Sequence, residues 1–396
     1  MSPALLVDVV LVLLLVVYLF SGWRRGAVLG VLSILGLVVG AVVGIALVPG
    51  LAAEMAPGPA QTLTVLGAIV LLAAIGQALG AVVGARARKS LRGTHFRGPD
   101  KALGALMAVL AAAVVLSVLV GAARGAPVPA LSRAVGASVV AQTLDRVLPE
   151  PFTGAADAVA RSVAADFPRV FAGVGPEIIL PVDPPSPDDV GTVAADAAGS
   201  TVKILGTARA CGSSQAGSGF VLAGERVVTN AHVVAGVDAP TVQVLGQGPA
   251  LAATVVVFDA DRDLAVLAVP GLDAPALAVG QELERGDPAT VLGYPLNGPF
   301  TSSPARVRQV LQARGEDIYA GAEVEREVYS LHVRVRPGSS GGPVLDAGGA
   351  VVGVVFAASL DDPDTGYALT AAEAAPVFAA AAAATASVDV GPCSGR

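Results

Sequence analysis

Four long apolar runs fill the first 125 residues or so of the chain. They cover about residues 3–22, 27–48, 61–84 and 102–122. A helix of about 20 consecutive apolar residues spans the hydrocarbon core of a bilayer. The pattern therefore predicts an all-α domain of four transmembrane helices over residues 1–123, in contact with membrane lipid. The first run is followed at once by a second, so we expect a retained anchor rather than a cleaved signal peptide.

The hydropathy pattern changes twice beyond the fourth run. Residues 124–190 are rich in Ala, Val and Pro, and apolar spacing between Leu131 and Phe171 is compatible with short amphipathic helices. The segment ends in a proline-rich stretch that predicts a semi-rigid extended spacer. From about residue 195, short apolar strands alternate with turns that contain Gly and Pro, which is typical of an all-β barrel protein. We therefore predict an extracytoplasmic linker over 124–190 and an all-β domain over 191–396.

Charge along the N-terminal domain predicts its orientation. Arg24 and Arg25 follow the first apolar run, and a cluster of Lys and Arg lies between the third and fourth runs. Because Lys and Arg near short loops stay in the cytoplasm, both loops should lie inside, and everything after about residue 123 should lie outside. Glycines recur at small spacings in the second and third runs, which favours close helix packing over a channel role.

Composition agrees with a membrane protein and excludes other classes. Only 14% of the 396 residues are charged and the mean hydropathy is +0.70, whereas about 25% of residues are charged in ordinary soluble proteins. The net charge is −7, and no basic patch suggests a nucleic-acid partner. The scattered histidines and two distant cysteines form no recognisable ligand set, so neither a metal nor another cofactor is expected.

Three motifs in the C-terminal half carry candidate acyl-transfer chemistry. Ser340 lies in the glycine-rich stretch Gly338–Pro343, His232 lies in an apolar stretch, and Asp263 directly precedes the apolar run Leu264–Val269. A serine hydroxyl attacks well only when a neutral imidazole takes its proton, and the imidazolium then needs a buried carboxylate. The chain order His, Asp, Ser is that of chymotrypsin-like proteases. We therefore predict these three residues to be catalytic.

The glycine-rich stretch also predicts the oxyanion hole, a set of N–H donors for the negative oxygen that forms during acyl transfer. We assign it to Gly338, Ser339 and Ser340, with the N–H groups of Gly338 and Ser340 as the main donors.

Each motif also has a structural interpretation. Asp259 and Asp261 lie close to Asp263 and are alternative acids, but they are typical turn residues, whereas Asp263 alone adjoins the strand-like run. His332 lies in an alternating stretch that predicts a strand, and His95 lies in the predicted cytoplasmic loop, where we expect it to be solvated.

The motifs resemble two known families. The segments similar to the signature set of bacterial trypsin-like serine proteases of the HtrA/DegP type are Gly217–Val221, Thr229–Gly236, Asp263–Leu267, Gly293–Pro295 and Gly338–Pro343. The start of the chain, with Asp8–Val10 and Gly22–Gly26, resembles the colicin V production (CvpA) membrane family. Joined in one chain, the two resemble the actinobacterial MarP family of membrane-anchored periplasmic proteases.

The resemblance implies a double six-stranded barrel of chymotrypsin-like fold. His232 and Asp263 would lie in the first barrel and Ser340 in the second, with the active site in the cleft between them. In this fold the residue six positions before the serine usually lines the S1 pocket, and an arginine there, Arg334, argues against simple cleavage after Lys or Arg. The further substrate-binding residues that the resemblance implies are Phe356, Ala357 and Ala358.

The chain contains two cysteines, Cys211 and Cys393, and both lie in the part predicted to be exported. An oxidising compartment favours one disulfide between them that pins the C-terminal tail to the first barrel. Two free thiols are the alternative.

Together, these observations predict a membrane-anchored serine endopeptidase whose protease domain lies on the extracytoplasmic side. The expected substrates are exported or cell-wall proteins, with possible autocleavage. The family resemblance implies a role in acid or oxidative stress resistance and in maintenance of the cell envelope. The competing hypothesis is a membrane assembly or channel-like protein whose exported domain binds peptides without cutting them.

Overall fold

The computed structural model describes most of the chain and divides it into two compact units, one around Leu6–Ser117 and one that contains the C-terminal β-domain. The described residues are 2–52, 59–90, 97–124, 129–148, 177, 179–208, 213–359 and 361–394. Cys211 and His95 lie outside them, so the inferences about these two residues stay predictions. The predicted domain boundaries at residues 123 and 190 also stay predictions.

The N-terminal unit confirms the four predicted helices. They are α1 (Pro3–Arg25), α2 (Ala27–Ala52), α3 (Pro59–Ser90) and α4 (Arg97–Arg124). Each contains a stretch long and apolar enough to cross a membrane. The apolar face of α1 is largely uncovered by protein, as with Leu6 and Leu13, which suits a helix that contacts lipid.

Glycines bring the backbones of α2 and α3 into contact. A Cβ atom at Gly36 would lie 2.2 Å from the Gly76 carbonyl oxygen, and one at Gly80 would lie 2.1 Å from the Leu32 carbonyl oxygen. Only glycine permits so close an approach, which is a common means of packing helices in membranes. The glycine spacing in the sequence thus correctly predicted helix packing.

Two short helices follow, α5 (Pro129–Gly136) and α6 (Val139–Val147). The segment before the β-domain, predicted to be a semi-rigid extended spacer, contacts that domain. The Leu180 carbonyl accepts from Arg308 Nη1 at 3.0 Å, and Asp189 pairs with Arg306 at 2.8 Å. The arginine partners lie more than 100 residues away in the chain, so the local composition could not reveal them. The segment continues into helix α7 (Val193–Ala197).

The first β-sheet has seven strands in the order β5-β4-β1-β2-β3-β7-β6. The strands are β1 (Thr201–Ala208), β2 (Ser213–Ala223), β3 (Arg226–Thr229), β4 (Thr241–Val244), β5 (Leu251–Ala252), β6 (Thr254–Asp259) and β7 (Leu264–Ala268). The resemblance implied six strands, and the additional one is β5, a two-residue strand that pairs with the outer edge of β4. A one-turn helix, α8 (Ala231–Val234), follows β3.

The second sheet is the expected closed six-stranded barrel, in the order β10-β13-β12-β11-β8-β9. Its strands are β8 (Pro288–Gly293), β9 (Thr301–Glu316), β10 (Glu323–His332), β11 (Pro343–Leu345), β12 (Val351–Ala358) and β13 (Thr365–Thr370). Helix α9 (Ala371–Ala381) follows, with Thr370 as its N-cap. His332 ends β10, as its alternating context predicted.

Strands β3 and β7 are buried on both faces. Val227 and Leu267 point into the core of the first sheet, whereas their neighbours Val228 and Val266 point into a second core shared with β12 and α9. Double burial explains why these strands read as continuous apolar runs rather than as alternating ones. The residues that follow β3 and precede β7 are therefore fixed by packing on two sides.

The C-terminal tail docks on the β-domain, although its alanine-rich sequence suggested that it would not dock firmly alone. The Val388 N–H donates to the Val255 carbonyl of β6 at 3.0 Å. Val390 packs against the core of the first sheet, and its carbonyl accepts from the Tyr319 hydroxyl at 3.1 Å. The tail thus contacts both sheets before it reaches Cys393.

Candidate active site

His232 and Asp263 form a buried pair within the first sheet. His232 lies on α8 and Asp263 directly precedes β7. Its carboxylate accepts from the His232 backbone N–H at 2.9 Å through one oxygen, and its other oxygen lies 2.7 Å from His232 Nδ1. An ionised carboxylate can only accept hydrogen bonds, so the imidazole proton of this contact lies on Nδ1. The other ring nitrogen, Nε2, then has the lone pair that a general base needs.

The turn between β6 and β7 explains why Asp263, and not a neighbouring aspartate, reaches the histidine. Asp259 Oδ1 accepts from the Arg262 N–H at 2.8 Å, which is a turn-forming bond. Asp263 itself has a φ of 56°, and its carbonyl accepts from Asn230 Nδ2 at 2.7 Å. This left-handed conformation directs the Asp263 carboxylate towards α8.

Ser340 lies on a tight turn that packs against the first sheet. Its carbonyl accepts from the Ser218 N–H of β2 at 2.8 Å. Gly341 has a φ of 82°, and a Cβ atom there would lie 2.4 Å from Thr229 Oγ1, at the end of the strand that leads to His232. Glycine is required here by both conformation and space. The turn thus brings the Ser340 segment of the barrel against the segment that bears His232.

The Ser218 side chain anchors this turn through its hydroxyl group. Its hydroxyl donates to the Gly338 carbonyl at 2.7 Å and accepts from the Tyr294 N–H at 2.8 Å. Gly338 has a φ of 92°, and a Cβ atom there would lie 2.6 Å from the Tyr294 carbonyl oxygen. The Leu296 N–H donates to the Pro337 carbonyl at 2.6 Å. Hydrogen bonds therefore fix both the Pro337 carbonyl and the Gly338 carbonyl.

The N–H groups of this turn differ in whether they already donate a hydrogen bond. Within the part of the chain that the structure describes, those of Gly338 and Ser340 donate no hydrogen bond, whereas that of Ser339 donates to the Arg336 carbonyl at 3.0 Å. Ser339 therefore departs from the predicted set of oxyanion donors, since its N–H is already used to close the turn. The two remaining groups are the main donors that we predicted.

No hydrogen bond joins the Ser340 hydroxyl to His232, two residues that the structure describes. Such contacts are often long in unliganded enzymes.

The predicted substrate-binding residues lie in different environments. Arg334 donates to Asp364 at 2.8 Å and is partly exposed. Ala357 is buried and Ala358 is half-buried. The Phe356 side chain is fully buried in the core shared by the two sheets, and the substrate-binding role of these residues stays a prediction.

Sequence reasoning missed Glu177, which follows the predicted linker helices. Its carboxylate contacts the Ser359 hydroxyl and accepts from the Tyr367 hydroxyl at 2.9 Å. Burial, and then this contact, raise the pKa of Tyr367. Nothing in the local sequence pairs a linker residue with strand β13 so far along the chain.

Metal ligands do not cluster in the described part of the chain, where no group of three His, Cys, Asp or Glu side chains could hold an ion.

Comparison with known proteins divides the chain into two parts. The family model of the trypsin-like peptidase domain matches residues 217–354, and that of the colicin V production protein matches residues 7–149. The first match contains His232, Asp263 and Ser340. The second covers most of α1 and all of α2, α3 and α4, the four helices of the described residues that are long and apolar enough to cross a membrane.

Similarity to a known serine protease extends over almost the whole length of the chain. The serine protease Rv3671c of Mycobacterium tuberculosis strain H37Rv is 36% identical over 400 residues, which cover 99% of this chain and 100% of the relative. The putative serine protease HhoB of Synechocystis is 35% identical over 159 residues, 39% of this chain and 37% of that protein. The crystal structure of the Rv3671c protease in its active form is 41% identical, covers 57% of this chain and all of that chain, and has a TM-score of 0.53.

Proposed function

The chain belongs to the MarP family of serine proteases represented by Rv3671c, and we propose that it cleaves peptide bonds with His232, Asp263 and Ser340 as its triad. It is a serine endopeptidase of chymotrypsin-like fold with an N-terminal CvpA-like helical domain. The observation that carries the proposal is the two-point contact between His232 and Asp263, which leaves Nε2 of the imidazole as the proton acceptor.

In the proposed reaction, Ser340 Oγ attacks the carbonyl carbon of the scissile bond while His232 Nε2 takes the hydroxyl proton. The same nitrogen then gives that proton to the leaving amine. Water hydrolyses the acyl-enzyme in the second half-reaction, again with His232 as the base. Asp263 holds the tautomer and stabilises the imidazolium that forms twice in each cycle.

We assign the oxyanion hole to the N–H groups of Gly338 and Ser340. Their lack of partners among the described residues supports this role, because donors engaged elsewhere could not stabilise the developing charge. The contact between the Leu296 N–H and the Pro337 carbonyl fixes the peptide that bears the Gly338 N–H. Lys203 Nζ supports the same region by donating to the Asn297 carbonyl at 2.5 Å. Burial, and then the charge of Arg133, lower the pKa of Lys203 to about 8.

A fluorophosphonate probe tests the proposed nucleophile on the purified protein. We expect the probe to label the wild-type chain on Ser340 and to leave Ser340→Ala unlabelled. Ser339→Ala is the matched control, since the neighbouring hydroxyl should not react. A non-cutting peptide-binding domain would remain unlabelled in every variant, and this outcome would favour the competing hypothesis.

We also propose that the protease domain lies outside the cytoplasm. The support is the charge pattern of the helices: Arg24 and Arg25 end α1, and basic residues follow the apolar part of α3. A reporter fused after residue 190 should therefore be active only outside the cytoplasm, and one inserted near residue 95 only inside. Cytoplasmic activity of the first fusion would reverse the orientation and remove the argument for an oxidising environment.

We propose that Cys393 forms a disulfide with Cys211. The support is that Cys393 is disulfide-bonded and that the chain contains only two cysteines. Cys393→Ser should lower the melting temperature by about 5–10 °C, since a disulfide typically contributes about 2–4 kcal/mol. A reductant should destabilise the wild type and leave the variant unchanged. Mass spectrometry of non-reduced peptides that finds no linkage would refute the pairing.

The physiological role rests on family membership alone. We propose that the enzyme acts on exported or cell-wall proteins and contributes to survival under acid or oxidative stress. Cells that carry Ser340→Ala should accumulate uncleaved exported substrates. A comparison of the exported proteomes of wild-type and Ser340→Ala cells measures this accumulation.

A further inference from the structure

A buried arginine connects the second barrel to the turn that bears Asp263. Arg326 lies on β10 and is 2% exposed. Its guanidinium donates through Nε to the Asp261 carbonyl at 2.5 Å and through Nη2 to the Glu316 carbonyl at 3.1 Å. The guanidinium carbon also lies 6.0 Å from the ring centre of Phe356. Few of its donors can reach water, so this side chain is held in one geometry.

Burial of a guanidinium needs compensation, because the charged form loses its hydration. Burial is the main influence on Arg326 and lowers its pKa, whereas surrounding acidic groups oppose that effect. The opposing groups are Asp263, Asp261, Asp317 and Glu373. Asp263 is the first of them in size, and its side chain is completely buried. Arg326 is therefore electrostatically coupled to the carboxylate that contacts His232.

The position of the Asp261 carbonyl gives the contact a geometric role. It lies two residues before Asp263, whose φ of 56° is unfavourable for a residue with a side chain. Such a conformation persists only where neighbouring groups hold it. The Arg326 bond fixes one side of the turn, and the Asn230 bond to the Asp263 carbonyl fixes the other.

Arg262, on the same turn, also carries a positive charge. It pairs with Asp259 at 3.1 Å and with Glu373 of α9 at 3.0 Å, and its side chain is 38% exposed. Solvent screens the charge of so exposed a group. Its partners are the side chains of Asp259 and Glu373, whereas the guanidinium of Arg326 is buried and donates to the backbone of the turn.

We propose that Arg326 is a positioning residue for catalysis, which holds the Asp259–Asp263 turn and thereby holds the Asp263 carboxylate beside His232. This inference rests on the proposed triad and adds a residue from the opposite barrel to it. Arg326 acts through Asp263 and does not touch the substrate.

The role predicts a loss of turnover rather than a loss of substrate binding. Arg326 acts through the turn that bears Asp263. A variant without the carbonyl contact should therefore misplace the carboxylate that orients His232.

The test compares Arg326→Met, Arg326→Lys and the control Arg314→Met in the full-length protein. Arg314 lies on β9 and forms an exposed pair with Glu323 at 3.8 Å. We expect Arg326→Met to lose about 10- to 100-fold in kcat, as for a misplaced catalytic group, with a smaller effect on KM. Arg326→Lys keeps the charge but not the planar fork of the guanidinium, so it should also lose kcat. Arg314→Met should match the wild type.

The outcomes separate this role from a structural one. If Arg326→Met melts at a lower temperature but retains the wild-type kcat and KM in its folded fraction, the residue only stabilises the fold and the proposal is wrong. If Arg326→Met does not fold, Arg326→Lys decides, because an unchanged kcat in that variant would refute the positioning role. Inactivity of the wild type, or activity of Ser340→Ala, would instead contradict the proposed function itself.

Discussion

Ser340→Ala should lower kcat for peptide hydrolysis by about 10⁶-fold, the loss seen when the nucleophile of such a triad is removed. The alanine side chain is smaller and fits the same turn, since the fold there depends on the Ser340 carbonyl and on Gly341 rather than on the hydroxyl. We therefore expect an unchanged melting temperature and unchanged peptide affinity. Steady-state hydrolysis of a fluorogenic peptide by the purified protein measures kcat, and titration with an uncleaved peptide measures the peptide affinity.

His232→Ala should be about equally inactive, and the double variant Ser340→Ala/His232→Ala should be no worse than either single one. Non-additivity is expected because the two side chains serve one proton transfer. Ser339→Ala again provides the control, and it should retain most of its activity because its contribution to the turn is the backbone N–H. Robust cleavage by Ser340→Ala would remove Ser340 from the mechanism.

The second large effect is expected at the acid. Asp263→Asn should lower kcat by about 10⁴-fold while leaving the local geometry intact. An asparagine can still accept from the His232 backbone N–H through its amide oxygen. Its amide nitrogen, however, is a donor, so the imidazole must present an unprotonated Nδ1 to it. The proton then lies on Nε2, where the ring can no longer act as a base towards Ser340.

Asp259→Asn and Asp261→Asn are the matched controls for this variant. Asp259 closes the turn through Arg262, and Asp261 contacts Arg326 through its backbone carbonyl, so neither side chain should affect turnover by more than a few fold. A 10⁴-fold loss at either position, with Asp263→Asn active, would show that the acid was assigned to the wrong residue.

The sequence predicted those parts of the site that depend on local conformation. Ser340 could be found because a turn with positive φ needs glycines around the serine, and Asp263 because it adjoins a strand that is apolar on both faces. The four helices could be found from length and composition alone.

Contacts between distant segments could not be predicted in the same way. The bond from Arg326 joins residues 65 positions apart, and Glu177 reaches strand β13 from the linker. One signal was nevertheless present for Arg326: the two-residue period of β10 places it on the same face as Val328, which is buried. A charged residue on an apolar strand face indicates a paired, buried group. The Ser339 N–H was misjudged because a motif gives the residue but not the direction of its groups.

The docking of the C-terminal tail links two parts of the β-domain. The tail contacts β6 through Val388 and the loop after β9 through Val390. A cut in the chain between α9 and Val388 would therefore break a covalent connection that joins α9 to both of these contacts.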